Sequence, residues 1–196
     1  MTSAETVSEV TAGRPLRADA QRNYEKLLAA GRDAFTEEGS SASLEEIARR
    51  AGVGIGTLYR HFPTRQALLE AVYVEEMDAL CRSADDLRDT APWDALVAWL
   101  HRFVDYVATK EALAHELFAY VDRDADVFRR CHDMFYAAGE PLLERAQQAH
   151  LVRPDTNITD VVRMVVAIAK MPSGTPEQIE RVVDMALDGL RFNASV

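Results

Sequence analysis

Apolar residues recur along this chain at three- and four-residue intervals, the spacing that gathers them on one face of a helix. The first such stripe, Tyr24, Leu27, Leu28, Gly31, Ala34 and Phe35, predicts a helix over residues 19–38, stopped at Gly39. Ser43 followed three residues later by Glu46 predicts a reciprocal capping box and a short helix to about Ala51, where Gly52-Val53-Gly54 interrupts it. A third short helix covers residues 55–61. It ends at Phe62-Pro63, because the residue before a proline avoids helical backbone, and Thr64 then caps a fourth helix reaching about Ala84. Farther along, Pro92 opens a helix whose stripe is Leu96, Leu100, Phe103 and Val107, and residues 111–120 and 126–149 read as two more. Asn157 caps a helix bearing Val161, Val162, Val165, Val166, Ile168 and Ala169. The last helix, after Thr175-Pro176-Glu177, bears Ile179, Val182, Val183, Ala186, Leu187 and Leu190.

Composition supports this all-α reading. In 196 residues, 48% of them hydrophobic, there are only 9 Gly and 7 Pro, too few for the frequent tight turns of a sandwich or barrel. No apolar run is long enough for a membrane span. Cys81 and Cys131 alone make neither a disulfide framework nor a four-ligand zinc site, so a reducing cytoplasm is the expected setting. Residues 1–13 lack the basic and apolar regions of a secretory signal and read as a disordered tail.

The net charge of -10 disfavours a general nucleic-acid coat protein, yet its distribution divides the chain. Residues 14–65 hold nine bases and seven acids, whereas the remainder after Arg65 holds 13 bases and 23 acids. A mildly basic head over residues 14–65 therefore precedes an acidic body over residues 66–196. Within the head, two short helices joined by a Gly-containing turn have the spacing of a helix-turn-helix, in which the second helix enters the major groove. Ala48, Val53, Leu58 and Phe62 would fix the angle between them, with Phe35 and Ile47 tying in the first helix. An ordinary αα-hairpin shares this apolar pattern and stays open at this point.

The stretch Leu44-Glu45-Glu46-Ile47-Ala48-Arg49-Arg50-Ala51-Gly52-Val53-Gly54-Ile55-Gly56-Thr57-Leu58-Tyr59-Arg60-His61-Phe62-Pro63-Thr64-Arg65 and the following Gln66-Ala67-Leu68-Leu69 resemble the DNA-binding domain of the TetR family of bacterial transcription regulators. The Ala-Gly-Val, Gly-Thr-Leu-Tyr and Phe-Pro elements fall in that family's order. Weaker similarity lies at Val152-Arg153-Pro154-Asp155 and Asp188-Gly189-Leu190-Arg191. The resemblance implies a homodimeric, ligand-responsive repressor on a near-palindromic double-stranded operator. It places Ile55, Gly56 and Thr57 in the groove, with Tyr59 and His61 on flanking phosphates. Ile55 and the Thr57 methyl suit thymine methyls, and Gly56 lets the backbone come close. Ser43 and Leu44 begin a helix whose amides favour an anion. The sequence has Gly54 where the family often has a Ser cap and Ile55 where it often has a polar residue. Arg65 replaces the family's common Lys as a phosphate contact, and Arg60 is a candidate for guanine or for solvent.

In the body, Trp99, Phe103, Tyr106, His115, Phe118, Met134 and Phe135 are the candidate lining of an effector pocket, set against the alternative that each is plain core. His101, His115, Cys131 and His132 lack the i, i+4 spacing that converges metal ligands, and no nucleophile elbow or phosphate loop is present. No metal, cofactor or catalysis is expected. The broad apolar faces of the last two helices predict a four-helix dimer interface through Val161, Val165, Ile168, Val182, Ala186 and Leu190. The competing readings are a helical carrier or enzyme without specific DNA binding, and a DNA-binding regulator with a solid body that answers to a protein partner.

Overall fold

The computed structural model describes residues 8–120 and 125–192; side chains are described from residue 18 onward, excluding 108–112 and 114. Eight α-helices follow in order: α1 Ser8–Glu38, α2 Leu44–Arg50, α3 Ile55–His61, α4 Arg65–Asp85, α5 Pro92–Leu117, α6 Asp126–Gln148, α7 Ile158–Ala169 and α8 Pro176–Asp188. A single 3-10 turn, Gly39–Ser41, separates α1 from α2. The all-α class holds: among the described residues the only extended pairing is one antiparallel bridge, Val152 to Arg191. That bridge joins the two weakly family-like segments, with Arg153 N–H donating to Leu190 O at 2.9 Å and Phe192 N–H to Leu151 O at 3.0 Å.

Two differences from the sequence reading concern where helices continue. Helix α1 begins at Ser8, inside the stretch expected to be a disordered tail, whose residues 1–7 lie outside the described residues. Extending an existing helix fixes one residue per added hydrogen bond, which costs far less than starting one. Helix α5 runs unbroken to Leu117, where two helices were expected, since neither Gly nor Pro stands between Val107 and Glu111 to end it.

The chain forms two compact units that divide between Tyr73 and Val74, inside α4. The sequence reading drew this line at Arg65, but the first turns of α4 belong to the head's core. Leu68 and Val72 lie so close to Gly31 of α1 that a methyl there would sit 3.3 Å from Val72 Cγ2. Leu27, Phe35, Ile47, Leu58, Leu68 and Leu69 are buried in that core.

The second unit packs α5 against α6 and α7, and α7 against α8. Its centre is Trp99, fully buried, whose ring stacks on Phe135 at 4.7 Å and whose indole N–H donates to Leu80 O at 3.2 Å. Gly139 of α6 faces this ring: a methyl there would come within 2.6 Å of it. Thr175 and Gln178 form a complete reciprocal capping box at the start of α8.

Candidate nucleic-acid interface

Local chemistry sets the reading head. The Ser43 hydroxyl accepts the Glu46 N–H at 3.0 Å and starts α2 there. The other half of the predicted box is absent, because stronger partners claim the Glu46 carboxylate: Arg49 donates to it at 2.6 and 2.7 Å and Arg50 at 3.0 Å. Arg50 also reaches Glu37 at 2.7 Å and Glu38 at 2.5 Å, tying the end of α1 to α2.

These guanidinium hydrogen bonds hold the Glu46 carboxyl down at about 2. Its folded value lies below the usual one, so its contribution to stability is complete above about pH 4.5 and is lost as pH falls toward 2. Thermal melts of the wild type and Glu46→Gln should therefore differ by a constant amount at neutral pH and converge in acid. A difference that grows in acid would contradict this.

Gly52 takes φ +68°, a left-handed geometry open to glycine at little steric cost, and turns the chain from α2 into α3. The Gly54 carbonyl then accepts from Thr57 at 2.8 Å and Leu58 at 3.2 Å. Leu58 is buried on the inner face, while Ile55 and Tyr59, one turn apart, remain 38% and 45% exposed on the outer one. Between them Gly56 has open space around the position of a Cβ. Thr57 is half-buried. Arg60 is exposed and has no ion-pair partner among the described residues. The structure thus gathers Ile55, Gly56, Thr57, Tyr59 and Arg60 on one short helix, with Gly54 as its cap and Ser43 and Leu44 at the start of α2.

Two expected phosphate contacts are half-buried and have partners within the head. His61 is half-buried, its ring 5.9 Å from Tyr24 and 6.2 Å from Phe62. Arg65 is turned inward: it donates to the carbonyls of Ala42 and, at 2.8 Å, Gly39, and its guanidinium lies over the Phe35 ring at 4.9 Å. Its charge fastens the α1–α2 connection to α4, a use invisible in a motif that records only that a cation follows Phe-Pro.

In the second unit, an open groove of about 600 Å³ lies between α4 and α6. Asp78, Cys81, Arg82, Ala84 and Asp85 line it from α4, joined by Arg88 of the following turn. Met134, Ala137, Ala138, Pro141, Leu142 and Arg145 line it from α6. Of the candidate pocket residues only Met134 is among them. Trp99, Phe103 and Phe135 pack on one another as core, Tyr106 lies 6.4 Å from Phe103 and Phe118 4.9 Å from Phe128, and His115 is exposed. Alanines rather than aromatics mark the cavity, because space is left where side chains are small. Burial pushes the Cys81 and Cys131 thiols up to about 11, which leaves both protonated and unreactive at neutral pH. Among the described residues no three His, Cys, Asp or Glu side chains converge on a metal position.

The dimer candidates divide by burial. Val161, Val165 and Leu190 are buried within their own chain. Ile168, Val182 and Ala186 are half-buried and lie near others that the sequence reading left out: Met164, Ile179 and Met185, the last 69% exposed. Their helical spacing was legible, but both faces of α7 are apolar, and only the packing tells inner from outer.

Comparison with known proteins agrees with this architecture. A family profile described as bacterial regulatory proteins, tetR family, matches residues 27–72, and one described as transcriptional regulator SbtR-like, C-terminal domain, matches residues 91–192. The HTH-type transcriptional regulator UidR of Escherichia coli is 26% identical over 155 residues, covering 76% of this chain and 79% of that one. A TetR transcriptional regulator from Streptomyces coelicolor has a similar structure, with 42% identity and a TM-score of 0.75 over 87% of this chain and 99% of that one. A TetR transcription regulatory protein from Mycobacterium vanbaalenii gives 36% identity and a TM-score of 0.75 over 90% and 99%.

Proposed function

We propose, from the premise that the chain belongs to the TetR family of bacterial transcription regulators, that it is a cytoplasmic homodimeric repressor released from its operator by a small-molecule effector. The observation that carries the DNA-reading part is the outer face of α3. Large apolar side chains left in water on a short helix, beside a glycine with open space, suit a surface that meets another molecule closely. Ile55 and the Thr57 methyl match thymine methyls in the major groove, the Tyr59 hydroxyl matches a phosphate, and Arg60 matches a phosphate or guanine. Ser43, Leu44 and Gly54 position this helix, and His61 and Arg65 hold the head together around it.

The second copy is proposed to cover Met164, Ile168, Ile179, Val182, Met185 and Ala186. A twofold pair then places two copies of α3 for a near-palindromic site. Helix α4 carries residues of both units, which makes it the element through which an effector in the body would alter the head. Such couplings amount to about 1–3 kcal/mol.

The test is fluorescence anisotropy on a labelled fragment from upstream of the gene, with random DNA as competitor. Thr57→Ala combined with Tyr59→Phe should weaken specific binding by about 1–3 kcal/mol, a factor of about 5 to 150. Gly56→Ala should raise helix stability by up to about 1 kcal/mol while weakening operator binding. Binding that stays no tighter than to random DNA, after selection of sites genome-wide, would overturn the regulator reading in favour of a carrier or enzyme.

A further inference from the structure

The groove between α4 and α6 has a polarity of its own. Ala84, Ala138 and Leu142, with the exposed Ala137, give it an apolar floor on which a hydrocarbon body can lie. At one end the lining charges cancel, Arg82 pairing with Asp78 and also reaching Glu75 outside the groove. At the other end two guanidiniums, Arg88 and Arg145, stand with one carboxylate, Asp85, which Arg88 binds at 2.6 Å. Arg145 is half-buried and donates to the carbonyls of Leu87 at 3.4 Å and Thr90 at 2.9 Å. Those acceptors are neutral, and no carboxylate pairs with Arg145 among the described residues. Asp86 and Asp89, on the same turn, do not line the groove. A partly desolvated guanidinium without a counter-charge favours an anion, and its planar fork fits a carboxylate in two-pronged fashion.

From this arrangement we infer that the groove binds an organic acid, its carboxylate on Arg145 and its apolar body along the alanine floor toward Met134. The effect of such an acid on DNA rests on the effector reading above; its binding does not.

The test titrates the full-length protein calorimetrically with octanoate, octan-1-ol and octyltrimethylammonium, which share a chain and differ in the head. Octanoate should bind about tenfold or more tightly than the other two. Arg145→Gln should bring octanoate down to the level of octan-1-ol. Ala138→Leu, which fills the floor and touches no charge, should weaken octanoate about tenfold with the thermal midpoint kept. If Arg145→Gln fails to fold, the ranking of heads in the wild type and the Ala138→Leu result decide.

Equal binding of all three compounds, preference for the ammonium, no octanoate binding up to millimolar concentration, or octanoate binding that Ala138→Leu leaves intact would each overturn the inference. Operator affinity measured in the same samples separates the two readings. Octanoate that binds with the expected ranking and leaves operator affinity unchanged supports the site and overturns release by such an effector.

Discussion

Trp99→Ala is expected to remove about 3–5 kcal/mol from the stability of the regulatory body, a large part of what a domain of this size holds. Three losses coincide at one position. The fully buried ring leaves a cavity between α5 and α6, its stacking on Phe135 at 4.7 Å disappears, and the Leu80 carbonyl loses the indole N–H. Collapse cannot refill the space cheaply, because α6 already approaches the ring as near as a glycine allows at Gly139. Gly139→Ala attacks the same contact from the other side and should cost about 1–3 kcal/mol through overpacking. Urea denaturation followed by far-ultraviolet circular dichroism reads both. A shift for Trp99→Ala no larger than that for the exposed Phe192→Ala would show that the centre of the body lies elsewhere.

The double substitution Ile168→Asp with Val182→Asp is expected to convert the proposed dimer to monomers and to weaken operator binding by about two to four orders of magnitude. Two linked heads bind with a high effective concentration that a single head lacks. Charges on the outer face of α7 and α8 are tolerated in the monomer, where both positions are half-exposed, and penalised only when a second copy covers them. Sedimentation velocity gives the mass and anisotropy the affinity. Val165→Ala is the control: it faces the chain's own core and should lower the melting point while leaving the mass unchanged. A double variant that stays dimeric would move the interface off this face.

Helix positions were legible wherever a local signal decided them. Ser43, Thr64 and Asn157 each cap the helix that their sequence position foretold. The bounds of α3 follow from Gly54 and from Phe62 before Pro63. What escaped were choices between partners. Glu46 has the spacing of a capping box, but two arginines on its own helix compete for it and win. Arg65 is a cation after Phe-Pro, and sequence alone does not say that two carbonyls of the α1–α2 connection lie within its reach. The aromatic residues of the body pointed to a pocket because pockets are often aromatic, whereas here the aromatics fill the core and the alanines opposite α4 leave the space. The two apolar faces of α7 are indistinguishable by periodicity and were separated by packing alone.

The internal pairing of the head has a further consequence. A protein that neutralises phosphates gains affinity by releasing the ions condensed on DNA, in proportion to the number of cations it commits. Arg22, Arg49 and Arg50 are held by carboxylates of their own chain, Arg32 meets Asp33, and Arg65 is held by two carbonyls. Among the residues of the head whose side chains are described, those from 18 onward, Lys26 and Arg60 are the cations without such a partner. If the proposed operator binding holds, grip on the DNA is expected to lean on shape and apolar contact, and affinity to fall only shallowly as salinity rises.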